Sequence, residues 1–182
     1  MRKIKRTHYS KFLSHILRHQ PGKIGLELDP GGWAEVDELI TRANQHGVDL
    51  DRDALEEIVE TSSKNRFEIS PDGSRTRARY GHSLDVDLDY QPQDPPQILF
   101  HGTAIHAVEG IKQEGLKPQG RKFVHLSSTP EVARQVGKRH GEPVILRVDA
   151  AEMHQEGHIF YKATEEIWLV KAVPPESIYQ IH

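Results

Sequence analysis

A proline-rich segment near the middle of the chain constrains its fold most strongly. Residues 90–97 read Tyr-Gln-Pro-Gln-Asp-Pro-Pro-Gln, with three prolines in eight residues. Proline fixes φ and donates no backbone hydrogen bond, so this segment favours an extended, stiff connection. The hydrophobic pattern also changes here, from helical spacing before the segment to short apolar runs after it. We therefore predict two domains, residues 1–90 and 98–182, joined by a linker over 91–97.

The first half predicts helices followed by a β-hairpin. Two shorter helices, over 37–44 and 51–61, follow a longer one over 8–19. Two alternating strands within 66–80 flank the turn at 70–73. The apolar face of the first helix consists of Phe12, Leu13, Ile16 and Leu17. Helices followed by a hairpin predict a winged-helix-like module, a fold that often binds nucleic acid but does not by itself prove a function.

The second half predicts an α+β domain. Helices are expected over 104–113 and after Thr129-Pro130, which has the composition of a helix start. Many short strands mixed with a few helices predict two small packed β-sheets. The apolar runs of strand length lie at 98–101, 124–126, 143–148, 159–161, 167–170 and 177–181.

The composition excludes several classes of protein. The 182 residues are 36% hydrophobic and 28% charged, which is typical of globular proteins. The sequence has no cysteine, which excludes disulfides, thiolate metal sites and a cysteine nucleophile. The basic first residues are not followed by an apolar run, and no stretch approaches the roughly 20 apolar residues of a membrane span. We expect a cytoplasmic monomer that does not bind membranes.

Charge is distributed unevenly along the chain. The net charge of −3 argues mildly against general affinity for nucleic acid. Residues 1–26 nevertheless hold seven Lys or Arg and no acid, residues 27–60 hold eleven acids and two Arg, and residues 61–82 hold five basic and two acidic side chains. The two basic segments predict either one positive surface or an exterior of salt-bridged side chains.

A strand runs into a polar turn at residues 98–103, which read Ile-Leu-Phe-His-Gly-Thr. Gly102 has no side chain, so a ligand could approach its backbone, and His101 and Thr103 could hydrogen-bond that ligand. A flat polar ligand such as a nicotinamide riboside fits this pattern. Alternatively, the segment is a strand end with a turn glycine.

The sequence lacks the common motifs for phosphate and metal sites. It contains neither Gly-x-Gly-x-x-Gly nor Gly-Lys-Ser/Thr, so it indicates neither a Rossmann nor a P-loop site. His15 and His19 are four residues apart on one predicted helix face, as a pair of metal ligands would be. They lack a third ligand at the usual spacing, and Arg18 beside them would repel a cation. We predict that no metal is bound.

Three arginines in separate segments are candidate phosphate ligands. The planar guanidinium groups of Arg18, Arg77 and Arg121 match phosphate oxygens in a bidentate way and stay charged at any working pH. If the three converge, they repel each other unless an anion lies between them. Alternatively, they are scattered surface charges, and Arg18 with His19 closes the C-terminal end of the first helix.

Seven short motifs follow one another in a specific order along the chain. They are Leu13-Ser14-His15-Ile16-Leu17-Arg18-His19, Arg77-Ala78-Arg79-Tyr80-Gly81-His82-Ser83, His101-Gly102-Thr103, Arg121-Lys122-Phe123-Val124-His125-Leu126-Ser127, Gly157-His158-Ile159-Phe160-Tyr161, Trp168-Leu169 and Val173-Pro174-Pro175. Each is weak alone, and their order is highly specific. With them the chain resembles, from about Tyr9 to Ile181, the RNA 2′-phosphotransferase family, the NAD-dependent tRNA 2′-phosphotransferases of KptA type.

The resemblance implies a fold for each domain and a reaction. The first domain is expected to be a winged-helix-like RNA lobe and the second an ADP-ribosyltransferase-like lobe that holds NAD, the co-substrate. In the implied reaction, the 2′-phosphate of a tRNA-like splice-junction RNA attacks the NAD ribose carbon that carries nicotinamide, and nicotinamide leaves. The adjacent ribose hydroxyl then attacks the phosphorus of this RNA 2′-phospho-ADP-ribose. The products are 2′-OH RNA and ADP-ribose 1″,2″-cyclic phosphate.

The resemblance also assigns catalytic roles to individual residues. The family's essential set of three arginines and one histidine falls on Arg18, His19, Arg77 and Arg121. The arginines would stabilise charge on the phosphoryl oxygens in the second step. His19 would either hydrogen-bond the 2′-phosphate or move a proton.

Further positions are expected to bind NAD or RNA. The family's NAD signature falls on His101 and His125, and Arg139 either meets the NAD pyrophosphate or caps its helix. His82 and Ser83 either contact RNA phosphate or form the turn after a strand. Additional contacts to the riboside and nicotinamide are expected from Gly102, Thr103 and Ser127.

The chain departs from the family pattern at two places. Tyr80 stands where a glutamine is usual, and residues 165–167 read Glu-Glu-Ile where Asn-Gly-Val is usual. Neither departure falls on the essential set, and the second could alter the floor of the NAD pocket.

Two alternative functions are open. The same NAD lobe could ADP-ribosylate a nucleic-acid end or a protein. A binding protein without turnover would need the essential set to be broken, and the set is intact in this sequence.

Overall fold

The computed structural model describes residues 3–62 and 64–181, so the basic start of the chain is described only from Lys3 onward. Outside the described residues lie Met1, Arg2, Ser63 and His182. The chain divides into two compact units, Met1–Asp89 and Tyr90–His182.

The described residues of the first unit form three α-helices and a β-hairpin, as the sequence predicted, together with a short strand, Ala34–Glu35, that it did not predict and that completes a small antiparallel sheet. The first helix begins at Lys3 rather than at residue 8, because the apolar spacing marks only its buried part. In the sheet, β3 lies between β1 and β2. The elements are α1 (Lys3–Arg18), β1 (Ala34–Glu35), α2 (Val36–Gln45), α3 (Arg52–Thr61), β2 (Phe67–Ile69) and β3 (Arg75–Ala78), with a 3-10 turn at Pro21–Ile24.

Aliphatic side chains from all three helices form the core of the first unit. Leu17 of α1, Leu39 of α2 and Leu55 of α3 are fully buried and belong to one cluster with Phe67 of β2. Helix α1 contacts both α3 and β3. This packing fixes the C-terminal end of α1 beside the central strand of the sheet.

The turn between β2 and β3 is organised by one carboxylate. Asp72 accepts hydrogen bonds from the Ser70 hydroxyl, the Ser74 backbone N–H (3.1 Å) and the Ser74 hydroxyl (2.9 Å). These hydrogen bonds lower the pKa of Asp72 from 3.8 to about 2. The turn places Glu68 directly opposite Arg77 and Ile69 opposite Thr76.

We expect Asp72→Ala to destabilise the first unit at neutral pH and to leave it unaffected in strong acid. The pKa of Asp72 in the folded protein lies below its ordinary value, so the ionised carboxylate stabilises the folded state above about pH 4. This contribution is lost as the pH falls through about 2, the pKa of Asp72 in the folded protein. Denaturant unfolding of both proteins at pH 6 and pH 2 measures it, and an equal difference at both pH values would contradict the role of the carboxylate.

The described residues of the second unit form three α-helices and a six-stranded antiparallel sheet, in the order β7-β8-β5-β4-β6-β9. Short 3-10 turns lie at Ile105–Ala107 and Pro175–Ser177. The elements are β4 (Leu99–Ala104), α4 (Val108–Glu114), β5 (Val124–Ser127), α5 (Pro130–Gly137), β6 (Pro143–Val148), α6 (Ala150–Gln155), β7 (Phe160–Lys162), β8 (Ile167–Val170) and β9 (Ile178–Ile181).

The prediction of two separate sheets in the second half is wrong, because one sheet contains all six strands. Its halves, β7-β8-β5 and β4-β6-β9, are joined only where Phe100 of β4 pairs with Ser127 of β5. By contrast, β4 and β6 pair along the whole of Leu99–Ala104. Apolar runs predict strands but not which strands pair, and this single junction makes the difference between one sheet and two.

The proline-rich segment runs beside β7. The backbone N–H of Gln93 donates to the carbonyl of Phe160 (2.9 Å), and Pro92 forms an isolated bridge with Tyr161. Because β7 is an edge strand, its partner can contain proline. Among the described residues, no helix has both the length and the apolar character needed to cross a bilayer.

Candidate active site

Two predicted site residues at the end of α1 are held by the segment after β3. The backbone N–H of Ser83 donates to the carbonyl of Arg18 (3.0 Å), which ends α1. The Ser83 hydroxyl lies 2.9 Å from Nδ1 of the next residue, His19. The last carbonyls of a helix lack intrahelical partners. Ser83 therefore closes the helix and orients His19 at the same time.

The guanidinium of Arg18 lies against two aromatic rings. Its Cζ is 4.8 Å from the ring centre of Tyr80 and 5.8 Å from that of Phe67. Such cation–π contacts hold a guanidinium without using its N–H donors. After Tyr80, Gly81 adopts a φ of 86°, a region that favours glycine, and the chain returns to α1 at Ser83. Tyr80, one of the two departures from the family pattern, thus contacts Arg18, a predicted catalytic residue.

The guanidinium of Arg77 is fixed on three sides. Its Nε donates to Oε1 of Glu68 (2.6 Å), the opposite residue on β2, and its Nη1 donates to the carbonyl of Gly31 (3.1 Å). Its Cζ lies 4.4 Å from the ring centre of Trp33. Nη2 has no acceptor among the described residues, so its two N–H groups remain for a ligand.

His82 is buried among these cations without a hydrogen-bond partner. Its side chain is only 4% exposed, and neither ring nitrogen bonds to any residue that the structure describes. Burial, followed by the positive charges of Arg18, His19 and Arg77, lowers the pKa of His82 to about 4. The ring is therefore neutral at pH 7, with one N–H donor and one acceptor nitrogen.

The structure thus brings together Arg18, His19 and Arg77 around His82. A buried imidazole with unused nitrogens, next to several cations, fits an anion with both oxygen acceptors and a hydroxyl or protonated oxygen, such as a phosphate group. Elsewhere on this unit the basic side chains do not converge. They form exposed salt bridges, which was the second interpretation of the charge distribution. These pairs include Lys5–Asp49, Arg52–Asp37 and Arg75–Asp29.

In the second unit, two histidines on neighbouring strands adopt the same tautomer. Nδ1 of His101 on β4 lies 3.0 Å from the carbonyl oxygen of His125, and Nδ1 of His125 on β5 lies 3.2 Å from that of Phe123. A carbonyl oxygen only accepts, so Nδ1 carries the proton in each ring. When the rings are neutral, both Nε2 atoms are acceptors suited to hydroxyl or amide donors.

His101 is held in its neutral form by its surroundings. Burial lowers its pKa, and the charges of His140 and Arg121 lower it further, although the hydrogen bond to the His125 carbonyl acts in the opposite direction. Arg121 lies in the exposed loop before β5. Its positive charge contributes to the lowered pKa of His101.

Gly102 does not present its backbone to a ligand in the way the sequence suggested. A Cβ atom at this position would lie 1.7 Å from the carbonyl oxygen of Ala133 and 2.9 Å from the backbone nitrogen of Gly137, both in α5. A Cβ at Gly137 would in turn lie 2.8 Å from the carbonyl oxygen of Thr103. The missing side chain therefore allows α5 to pack directly on β4, and the expectation of close ligand approach from that side is corrected.

The other predicted residues of this unit lie on the same strands or near them. Thr103 on β4 and Ser127 at the end of β5 are buried. Arg139 is exposed in the turn after α5, where its backbone N–H donates to the carbonyl of Val136 (3.2 Å). The roles of these three residues stay predictions.

Sequence reasoning missed the residues that position Arg77. Glu68 also pairs through Oε2 with Nη2 of Arg79 (3.3 Å), so it holds both Arg77 of β3 and Arg79 just after that strand. The predicted hairpin contained the signal, because strands that end at residue 69 and resume at residue 76 place residue 68 opposite residue 77. Trp33 carried no such signal, since it reaches Arg77 from a different part of the chain.

No group of three or more metal-ligating side chains that could hold an ion occurs in residues 3–62 and 64–181. His15 and His19, the pair considered above, have ring centres 6.5 Å apart.

Comparisons with known proteins agree over nearly the whole chain. A profile of the RNA 2′-phosphotransferase, Tpt1 / KptA family, matches residues 4–172. A curated protein of Pectobacterium carotovorum, named "Probable RNA 2'-phosphotransferase", is 47% identical over 96% of this chain and 94% of its own length. Proteins with the same name from Pseudomonas syringae pv. tomato (47%; 100% of this chain, 97% of theirs) and Agrobacterium fabrum (51%; 92% and 90%) also match.

These matches, together with the clustered arginines, define the class of protein as a group-transferring enzyme, a transferase. The chain belongs to the RNA 2′-phosphotransferase, Tpt1 / KptA family.

Proposed function

We propose that this enzyme removes an internal 2′-phosphate from RNA by transferring it to NAD. The observation that carries the proposal is the cluster of Arg18, His19 and Arg77 around the buried, unpartnered imidazole of His82. Family membership supports the same substrate, since the curated relatives are named for RNA 2′-phosphate transfer.

The first step requires positioning more than proton transfer. A 2′-phosphate oxygen attacks the NAD ribose carbon bonded to nicotinamide, and that bond breaks as neutral nicotinamide leaves. A phosphate dianion is already a nucleophile, so no general base is needed. Arg18 and Nη2 of Arg77 hold the phosphate oxygens, and His82 and Ser83 provide further hydrogen bonds to the phosphate.

The second step increases the charge on the phosphoryl oxygens. The neighbouring ribose hydroxyl attacks phosphorus, the RNA 2′-oxygen leaves, and the proton of the hydroxyl ends on that oxygen. Arg18, Arg77 and Arg121 stabilise the developing charge. His19, whose Nδ1 is engaged by Ser83, uses Nε2 either to bind the phosphate or to move this proton.

The residues of the second unit fit NAD as the acceptor. The acceptor Nε2 atoms of His101 and His125 suit ribose hydroxyls or the nicotinamide amide. Arg139, at the pyrophosphate, completes the proposed contacts of charged groups with NAD. The hydroxyl groups of Thr103 and Ser127 add hydrogen bonds from the same strands.

We assign each unit the role that the family resemblance implies. The helices and hairpin of the first unit act as a winged-helix-like RNA lobe. The split six-stranded sheet of the second unit acts as an ADP-ribosyltransferase-like NAD lobe, with segment 91–97 as the connection. The protein acts in the cytoplasm as a monomer.

The reaction itself tests the proposal. The protein is incubated with NAD and a short RNA that carries one internal 2′-phosphate, and the products are separated. We expect equal amounts of dephosphorylated RNA, nicotinamide and ADP-ribose 1″,2″-cyclic phosphate. A stable ADP-ribosylated RNA or protein without cyclic phosphate would favour the alternative ADP-ribosyltransferase, and a lack of nicotinamide release would contradict both enzymes.

We expect Glu68→Gln to lower kcat for RNA dephosphorylation about tenfold, the effect of losing roughly 1.4 kcal/mol from one charge-assisted hydrogen bond. The change frees the Arg77 guanidinium, yet it also removes a negative charge close to the phosphate. The KM for RNA should therefore not rise, which separates a positioning role from a binding role. Steady-state kinetics give both constants, and Glu60→Gln, on the exposed side of α3, is the matched control. An unchanged kcat for Glu68→Gln would remove Glu68 from the site.

A further inference from the structure

The second unit carries an aromatic cluster that the proposed reaction does not use. It consists of Tyr90, Phe123 and Tyr161, all half-buried. The ring centres of Phe123 and Tyr161 are 5.5 Å apart with an interplanar angle of 64°. Tyr90 lies 6.5 Å from Phe123 and 6.1 Å from Tyr161. The three rings therefore form one continuous aromatic surface.

This cluster projects from the same face of the sheet as His125. Tyr161 of β7 and His125 of β5 both pair directly with Leu169 of β8, and directly paired residues project from the same face. The neighbouring residue Phe160 projects from the opposite face and is fully buried in the core. The core thus accounts for Phe160 and leaves the half-burial of Tyr161 unexplained.

Basic side chains lie next to the cluster in the sequence. Arg121 and Lys122 immediately precede Phe123 and are exposed. Lys162, the other neighbour of Tyr161 on β7, projects from the opposite face and pairs with Glu165 (2.7 Å), so it does not contribute to this surface. Aromatic rings interleaved with cations are typical of surfaces that bind single-stranded nucleic acid, where bases stack on rings and phosphates meet the cations.

We propose that the aromatic cluster stacks a nucleobase of the RNA beside its 2′-phosphate, a role that rests on the proposed function. RNA is favoured over the adenine of NAD as the source of this base for two reasons. Arg121, the proposed phosphate ligand, is only two residues from Phe123. The cluster also extends from Phe123, just before β5, to the edge strand β7, which is the direction away from His101 on β4. His125 on β5, the other proposed NAD ligand, shares the face of the cluster, so the test below also measures the KM for NAD.

The test compares 2′-phosphorylated RNAs that do or do not carry a base at this place. One RNA has normal bases, and two others have an abasic ribose either at the phosphorylated nucleotide or at its 3′ neighbour. For wild-type protein we expect kcat/KM to fall about 5- to 150-fold for one of the abasic RNAs, the range given by base–aromatic stacking. The KM for NAD should stay the same with all three RNAs.

Variants of one ring then assign the effect to the cluster. Tyr161→Leu should lower kcat/KM on the normal RNA by a similar factor and leave it unchanged on the affected abasic RNA. Tyr161→Phe keeps the ring and should behave as wild type. Equal kcat/KM of wild type on all three RNAs would overturn the proposal without any variant. A rise in the KM for NAD in Tyr161→Leu would assign the cluster to adenine instead, and no turnover of any RNA would contradict the proposed function as well.

Discussion

Arg77→Ala is expected to slow RNA 2′-phosphate removal about 100- to 1000-fold, the usual effect of deleting one donor from a preorganised site for developing negative charge. Glu68, Gly31 and Trp33 fix this guanidinium before any substrate binds. Alanine removes the charge and the two N–H groups of Nη2 together. The fold should survive, because Arg79 still pairs with Glu68.

A quenched time course of nicotinamide release, RNA adduct and cyclic phosphate measures which step is affected. In the proposed mechanism Arg77 stabilises charge mainly in the second step, so the ADP-ribosylated RNA should accumulate in Arg77→Ala. The matched control is Arg75→Ala on the same strand. Arg75 also lies over Trp33 (5.4 Å), but its ion partner is Asp29. Arg75→Ala should retain activity within a few-fold of wild type. Wild-type turnover by Arg77→Ala would remove Arg77 from the reaction.

Local signals in the sequence were sufficient for most helices and strands. The structure contains the helices predicted from residue 51 and after Thr129-Pro130: Asp51 caps α3 by accepting from the backbone N–H of Ala54 (2.7 Å), and Thr129 caps α5 by accepting from that of Val132 (3.3 Å). These predictions are confirmed because a cap and its partner lie within one turn of chain. Helix α6 was missed, because six residues are too few to show a helical period, and its Met153 is buried by contacts distant in sequence.

The candidate site could be predicted as a set of residues but not as an arrangement. The motifs identified Arg18 and Arg77 because guanidinium chemistry is visible in the residue type. Tyr80 holds Arg18, and Glu68 and Trp33 hold Arg77. These contacts depend on which strands pair and which loop packs on the arginines. Such partners are distant in sequence, so one chain shows them only where a hairpin sets the register, as it does for Glu68 and Arg77.

Gly102→Ala is the second substitution for which we expect a large effect, here on stability. The new Cβ would lie 1.7 Å from the backbone oxygen of Ala133, and a helix backbone cannot yield as a flexible side chain does. Helix α5 must move away from β4, which also loosens the contact of Gly137 with Thr103. We expect a loss of about 3 kcal/mol or more, the upper range for overpacking, and a fall in Tm of roughly 6–12 °C for a chain of this size.

The control for this prediction is Gly110→Ala, because Gly110 lies inside α4 with open space around its Cα. Alanine favours a helix interior by about 1 kcal/mol over glycine, so this variant should melt slightly higher than wild type. The pair decides between two explanations for the glycine in His-Gly-Thr. If Gly102 served ligand approach, Gly102→Ala would keep the wild-type Tm and only weaken NAD binding. If it serves the packing of α5 on β4, as the structure indicates, Tm falls without NAD present, and a wild-type Tm would contradict that packing.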